Sequence, residues 1–578
     1  MKGVKHRAGN DPRAAALLVL NEVLSSTQDS QAVLDRQLTG SSLVPGDKAL
    51  CTELVYGVLR RHLRLNWFLR TMLDKPDKLP TEMLLVLELA AYEIAFTRIP
   101  SHASVNWAVG FIRNRFGQGL SKVGNGVLRS FERKLGEEFN NPLYYLKRLG
   151  IKLEKGALQS GVQQGQVSND KLTGNLPVDG ENTTGSNGGS AAGGLAGDHE
   201  AASGVAATSE AGGEAGVAIG IKNSVLSYSA DPRFLAAYYG MPEWIVNLWL
   251  AAYGPEATES YLKASALPAP MGVRLNPCAP GYKSLLNEML QEEDAVLVPP
   301  AAVALPGGAR RPVKFMQREG KLSRQSAASY QALWQLDPAS WQQPVWDACA
   351  GRGGKSLALL EQGIAVALLS DSSKARLSGF EPDFERLFPK AGQAEGVANG
   401  KAERIAENAA ESLVDDATAA SIPSNEVSVP AGPAGPASSA GSSPAASGKL
   451  PAMPELYFGP AEQVAGEKEF ATIILDVPCS GLGTLSHRPE IRWRRDPSDL
   501  ERLCASQGSL LENALRSLKR GGRIVYLTCT INPSENENRV NDFLESHPDF
   551  KIEKSWQTPA DSNLNEFFWG AVLKRDEK

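Results

Sequence analysis

No stretch of the 578-residue sequence stays apolar long enough to cross a bilayer, so no membrane-spanning segment is expected. The opening stretch, MKGVKHRAGNDPRAAALLVLNEVL, is basic and then amphipathic, with its apolar run broken by Asn21 and Glu22. That pattern lacks a secretory signal's continuous apolar core and predicts a cytoplasmic protein. Cysteine is scarce: Cys51, Cys278, Cys349, Cys479, Cys504 and Cys529 stand alone, and none forms a CxxC pair. This excludes zinc ribbons and thioredoxin-type motifs and suits a reducing compartment. The six histidines, His487 among them, show no metal-ligand spacing, so no metal is expected. The length exceeds what one core organises and predicts two to four domains.

The net charge of −5 argues at first against a nucleic-acid partner, but the charge is unevenly spread. The first 150 residues carry 21 Lys and Arg against 14 Asp and Glu. Two low-complexity stretches, 151–220 and 391–450, carry −5 and −4, which leaves the rest of the chain mildly basic. Such a balance is compatible with RNA.

Residues 1–150 read as a helical domain, a bundle of about five to seven helices with apolar residues three and four apart and breaks at Pro45-Gly46, Pro76 and Pro100. Arg60, Arg61, Arg64, Arg113, Arg115, Lys122 and Arg129 are candidates for a basic face there. Residues 151–225 contain almost no large apolar side chain and read as a disordered linker. Residues 226–335 read as a small α+β module: helices around Pro242, a strand MGVRLN and a helix KSLLNEML. Residues 336–578 read as an α/β domain with a second structureless stretch at 390–452.

In that domain Val345-Trp346 is a short strand running into Asp347, Ala348 and Cys349. The loop Gly351-Arg352-Gly353-Gly354 and a helix from Lys355 follow, an arrangement that lets backbone N–H groups approach a nucleotide-like ligand. The loop is not a Walker A motif, because Cys349 stands where a further glycine is required. IAVALLSD ends in Asp371, placed to accept hydrogen bonds from a ribose. Ile473 to Leu475 form a strand tipped by Asp476 and followed by Pro478-Cys479-Ser480-Gly481. Arg523 to Leu527 form another, ending at Thr528-Cys529-Thr530 before a Ser534-Glu535-Asn536-Glu537 helix start. The C-terminal tips of parallel strands share one edge of the sheet, so Asp347, Cys349, Asp371, Asp476, Cys479 and Cys529 are expected to line one crevice.

DACAGRGGK, LDVPCSG and YLTCTINPSENE resemble the three signature motifs of the S-adenosylmethionine-dependent RNA cytosine-C5 methyltransferases. Arg274 to Asn276 and Arg324 to Ser329 match two further family segments, and the helical N-terminus resembles a NusB-like RNA-binding domain. The combination resembles the bacterial 16S rRNA (cytosine(967)-C(5))-methyltransferases of the Sun/Fmu type over nearly all the chain outside the two low-complexity stretches. The resemblance implies an α/β, Rossmann-like catalytic domain and the cofactor S-adenosylmethionine. It makes Cys529 the nucleophile that adds to C6, Cys479 the residue that assists elimination and release, and Asp476 the group on the cytosine edge. Cys349, Ala350, Gly351, Arg352, Gly353, Gly354 and Lys355 would cradle the cofactor, with Asp371 and Asp476. The expected partner is 16S rRNA, free or in an early assembly intermediate, and the expected state a monomer.

Three positions depart from the family pattern. Gly351-Arg352 replaces Ala-Pro, Gly459-Pro460 stands where a Gly-Asp turn usually lies near the adenine, and Gln325-Ser326 replaces Gln-Asp. Trp493 is a candidate base-stacking residue or, equally, a buried aromatic beside the loop. Two other readings remain open on sequence: the same chemistry on tRNA or another rRNA site, and a non-catalytic RNA-binding or assembly protein on a degenerate methyltransferase fold.

Overall fold

A computed structural model describes residues 10–152, 225–305, 313–389 and 450–577, with 465 and 467 excepted. The expected linker 151–225 and insertion 390–452 lie outside the described residues except at their ends.

The chain opens with seven α-helices: α1 (Pro12–Ser25), α2 (Ser30–Thr39), α3 (Pro45–Thr71), α4 (Thr81–Phe96), α5 (Ser101–Phe116), α6 (Gln118–Lys134) and α7 (Pro142–Leu149). Their starts follow local chemistry. Asp11 accepts from the Arg13 N–H ahead of Pro12, and Asn141 caps α7 ahead of Pro142. Helix α4 is buried on every side from Met83 to Glu93 and forms the axis of the bundle. Its two buried carboxylates are both satisfied: Glu88 by His62 Nδ1 and Asn66 Nδ2, each at 2.6 Å, and Glu93 by Arg13 Nε at 2.8 Å.

Helices α8 (Pro232–Tyr239) and α9 (Glu243–Ser265) were expected to belong with the following strands. They instead pack Phe234, Leu235, Tyr238, Ile245 and Trp249 into the same core as α1 to α7. Those side chains give α8 and α9 a large aromatic face, and the aromatic surface of α3 and α7 is its match.

The basic face of the bundle also needs correction. Arg64 is buried, donates to the Phe139 carbonyl at 2.8 Å, and lies over the rings of Phe139 and Tyr238. Arg61 stacks on Phe96 at 4.2 Å. Arg115 and Arg129 pair with Glu82 and Glu132, and Arg113 and Lys122 are exposed. Aromatic pockets and acidic neighbours have thus taken up most of the candidate set.

A small antiparallel sheet follows, made of β1 (Met271–Leu275), β2 (Val296–Val298), β3 (Ala302–Leu305) and β4 (Leu322–Arg324) in the order β2-β3-β1-β4, with its own core around Val273, Leu275, Val303 and Leu322. The large sheet contains β5 (Val345–Asp347), β6 (Leu368–Asp371), β7 (Glu455–Phe458), β8 (Phe470–Asp476), β9 (Leu518–Thr528), β10 (Phe550–Gln557) and β11 (Trp569–Arg575). Its order is β10-β11-β9-β8-β5-β6-β7. Strands β9 to β7 are mutually parallel, and β11 runs antiparallel to both β9 and β10. Strands β5, β6 and β8 are buried on both faces, as their short apolar runs demand. The chain order reverses about β5, so the carboxyl ends of β5, β6, β8 and β9 open on the crevice where doubly wound sheets hold ligands.

Candidate active site

The two thiols are brought together by neighbouring strands. Strand β8 delivers Asp476 and then Cys479, and β9 delivers Cys529. Cys479 Sγ lies 3.0 Å from Cys529 Sγ and accepts from the Cys529 N–H at 3.3 Å. Both cysteines are half-buried. The hydrogen bond with Cys529, then burial, holds the Cys479 thiol well above its ordinary range, so Cys479 keeps its proton. The Gly483 N–H donates to the Cys529 carbonyl at 3.0 Å, so the loop after Cys479 also bridges back to β9.

Lys355, at the start of the helix Gly354–Glu361, reaches Asp476 with Nζ 2.5 Å from Oδ2. Burial alone would lower the Lys355 pKa; the charge and hydrogen bond of Asp476 outweigh it, and the net shift is upward. Asp347 and Cys529 act on Lys355 in the same direction. The ammonium therefore stays charged beside the thiols, while about a third of the Asp476 side chain remains open to the crevice.

The glycine loop has the features of a ligand cradle. Gly351 and Gly353 adopt φ of 60° and 75°, and a Cβ on Gly353 would strike the Phe380 ring. At Gly351 and Gly354 a Cβ would meet nothing within 4 Å, which leaves the loop open on the crevice side. Asp347 beneath it is fully enclosed. Its Oδ2 accepts from Ser356 Oγ at 2.6 Å, and its Oδ1 has no partner. Burial pushes its pKa up to about 7. Burial and then the charges of Asp347, Asp476, Asp371 and Glu462 raise the Cys349 thiol, so four carboxylates surround this point. An orphaned carboxylate oxygen, an open backbone loop at a helix start and an acidic surround fit a cationic, nucleotide-like ligand such as S-adenosylmethionine.

Asp371 is differently engaged from the sequence expectation. Its oxygens accept from the Gly351 N–H at 2.8 Å and the Ser373 N–H at 2.7 Å, and Arg376 pairs with it at 3.0 Å. It ties the glycine loop to the tip of β6. Arg352 does not disturb the loop, because its exposed guanidinium turns towards Gly379 and pairs with Asp383 at 3.3 Å. Opposite Asp371 in the β6–β7 register stands Phe458, exposed and followed by Gly459-Pro460.

Trp493 is placed in an interface rather than on an open face. Its ring meets His62 of α3 edge-on at 5.4 Å. The whole segment after Cys479 docks on the helical bundle. Leu482, Leu485 and Ile491 join its core, Arg60 Nε donates to the Ser486 carbonyl at 2.9 Å, and Ser30 Oγ donates to Glu490 at 3.0 Å. Arg494 Nη2 donates to the carbonyls of Val23 and Gln28, each at 2.8 Å.

Sequence reasoning missed two network residues. Arg274 of β1 is buried and donates from Nε to Glu361 at 2.6 Å and from Nη1 to the Gly354 carbonyl at 2.9 Å, so the small sheet braces the helix that carries Lys355. Its place in the RLN segment was the available signal. Glu535 is the other. In the sequence it reads only as part of a helix start, and its position is a 3-10 turn, Pro533–Glu535, ahead of the helix Glu537–Ser546.

Among the described residues no group of His, Cys, Asp and Glu is arranged to hold a metal ion, and no helix is long and apolar enough to cross a membrane.

Residues 459–570 match the family described as 16S rRNA methyltransferase RsmB/F, and residues 10–133 match the NusB family. The chain is similar to the probable ribosomal RNA small subunit methyltransferase B of Bacillus subtilis (strain 168), 23% identical over 96% of this chain and 93% of that one. It is also similar to the ribosomal RNA small subunit methyltransferase B of Serratia proteamaculans (strain 568), 24% identical over 97% and 98%. The solved structure of PH0851 superposes with a TM-score of 0.58 at 17% identity, over 98% of this chain and 99% of that one, which is a likeness of fold.

Proposed function

We propose that the chain is an S-adenosylmethionine-dependent methyltransferase of the RsmB/F kind behind a NusB-type helical region, and that it methylates C5 of a cytosine in small-subunit ribosomal RNA through a covalent Cys529 adduct. The observation that carries the covalent reading is the pair of thiols 3.0 Å apart beside the Lys355–Asp476 ion pair. The finer reading takes the site to be cytosine 967 of 16S rRNA. The names of the relatives support the small-subunit substrate.

C5 of cytosine is a poor nucleophile. A thiolate adding to C6 makes C5 enamine-like and able to take a methyl group. Cys529 supplies the thiolate, and the Lys355 ammonium stands charged beside the thiols. Asp476, partly open to the crevice, accepts from the N4 amino group on the N3/N4 edge of the base. Residues Cys349 to Lys355, with Asp347 and Asp371, would hold S-adenosylmethionine, which would supply the methyl group on a sulfonium centre and leave as S-adenosylhomocysteine. After C5 is methylated its proton passes to a water acting as base, the C5–C6 double bond re-forms and the C6–S bond breaks, returning the Cys529 thiolate. Cys479 assists this elimination. The target base must leave its stack to enter the crevice, which favours unpaired RNA, free or early in assembly, over finished duplex.

The test mixes Cys479→Ala, Cys529→Ala and the double variant with 16S rRNA and S-adenosylmethionine and resolves them on a denaturing gel. A protein–RNA adduct from Cys479→Ala that vanishes in the double variant is expected. An adduct from Cys529→Ala instead would reverse the two roles. No adduct, with no methyl transfer by wild type, would leave a non-catalytic RNA-binding protein.

A further inference from the structure

Glu535 has no exposed surface, and among the described residues no cation pairs with it. Its carboxylate is instead met by three neutral donors. Oε1 accepts from the Ser480 N–H at 2.7 Å and from Gln507 Nε2 at 3.1 Å, and Oε2 accepts from Asn532 Nδ2 at 3.1 Å. Gln507 Nε2 also donates to the Pro478 carbonyl at 3.0 Å. The Pro478 carbonyl belongs to the peptide unit before Cys479 and the Ser480 N–H to the unit after it, so both peptide units flanking Cys479 are anchored by the Gln507–Glu535 pair. Asn532 lies three residues past Cys529 in the loop that carries the other sulfur, and Thr530 Oγ1 bonds both Ser480 Oγ, at 2.9 Å, and the Asn532 N–H, at 3.2 Å.

We propose that Glu535 is a positioning residue that holds Cys479 against the sulfur of Cys529 and thereby sets the rate of product release, leaving the attack itself to Cys529. This rests on the release role given to Cys479 above. The chemistry explains why a carboxylate stands there. Both oxygens face donors, so an amide in its place must turn its own N–H groups on Ser480, Gln507 or Asn532, and a buried donor facing a donor is costly. Cys529 depends less on this anchor, because its loop is also fixed through the ladder of β9 and the Gly483 N–H.

The test is a single-turnover reaction with methyl-labelled S-adenosylmethionine and 16S rRNA, following methyl incorporation and the lifetime of the protein–RNA adduct separately. Glu535→Gln is expected to incorporate methyl at close to the wild-type rate and to hold the adduct about tenfold longer or more. Gln507→Met, which removes one anchor and conserves volume, is expected to fall between it and wild type. A Glu535→Gln protein with wild-type cofactor affinity and unchanged adduct lifetime would overturn the proposal, as would incorporation and release that slow in parallel. If Glu535→Gln does not fold, Gln507→Met decides on the same terms. Cys479→Ala is run alongside. If it fails to prolong the adduct, the release role of Cys479 is what fails, whatever Glu535→Gln does.

Discussion

Cys479 and Cys529 hold their sulfurs 3.0 Å apart across neighbouring parallel strands, with no other side chain between them. Two thiols so placed can lose two protons and two electrons to hydrogen peroxide, giving a disulfide and two waters. Peroxide is therefore expected to lower methyl transfer by at least about tenfold, with full recovery on adding dithiothreitol. Methyl transfer followed through an oxidation and reduction cycle checks this. Loss that dithiothreitol does not reverse would point to over-oxidation of one thiol instead.

Asp347 gives a pH dependence with a definite sign. Its pKa rises from an ordinary 3.8 to about 7, so between those values the folded protein holds a proton that the unfolded chain has released. The stability contributed by this group falls as pH rises through that window and levels off above about pH 7, a change of roughly 4 kcal/mol at most. Asp347→Asn, which can still accept from Ser356, should flatten that slope in urea titrations from pH 4 to 8. Cofactor affinity measured by calorimetry should rise from pH 6 to 8 in wild type, as the carboxylate ionises beside a cationic ligand, and should not do so in Asp347→Asn.

Lys355 stands between the cofactor loop and the thiols. Lys355→Met removes the only cation bonded to Asp476 among the described residues and should lower kcat by roughly a hundredfold to a thousandfold. Lys355→Arg should recover part of it. A Met variant with wild-type kcat would remove the electrostatic role from Lys355.

Arg274 and Glu361 form a buried ion pair, with side-chain exposures of 2% and 0%. Arg274→Met leaves the Glu361 carboxylate enclosed without its cation and should cost about 3–5 kcal/mol of folding stability. The double change Arg274→Met with Glu361→Leu should restore most of that loss, because the charge is removed together with its partner. Thermal unfolding of the two variants distinguishes the pair from a merely well-packed arginine.

Strands β5, β6 and β8 were legible because each is a short, mostly apolar run ending in Asp, and such runs are buried on both faces. The meeting of Cys479 with Cys529 followed from strand-tip geometry alone. The β2–β3 hairpin was not legible, since strands of only three and four residues carry little pattern. Arg64 read as a surface group and Trp493 as either a base-stacking or a buried aromatic, and each is settled by an aromatic partner from a distant part of the chain. The engagement of Asp371 with the Gly351 N–H, and of Glu535 with Ser480 and Gln507, depends on tertiary placement that no local spacing encodes.

The segment from Leu482 to Arg494 shares its apolar core with helices that lie more than 400 residues earlier in the chain. A fragment beginning at residue 226 would keep α8 and α9 but strip α1 to α7 from the core that Leu482, Leu485 and Ile491 join, and the peptide that carries Cys479 would lose part of its floor. The bundle and the site are therefore expected to open together. Amide exchange in β8 and in the bundle should report one opening event rather than two, and heat should silence the thiols as soon as the helices give way.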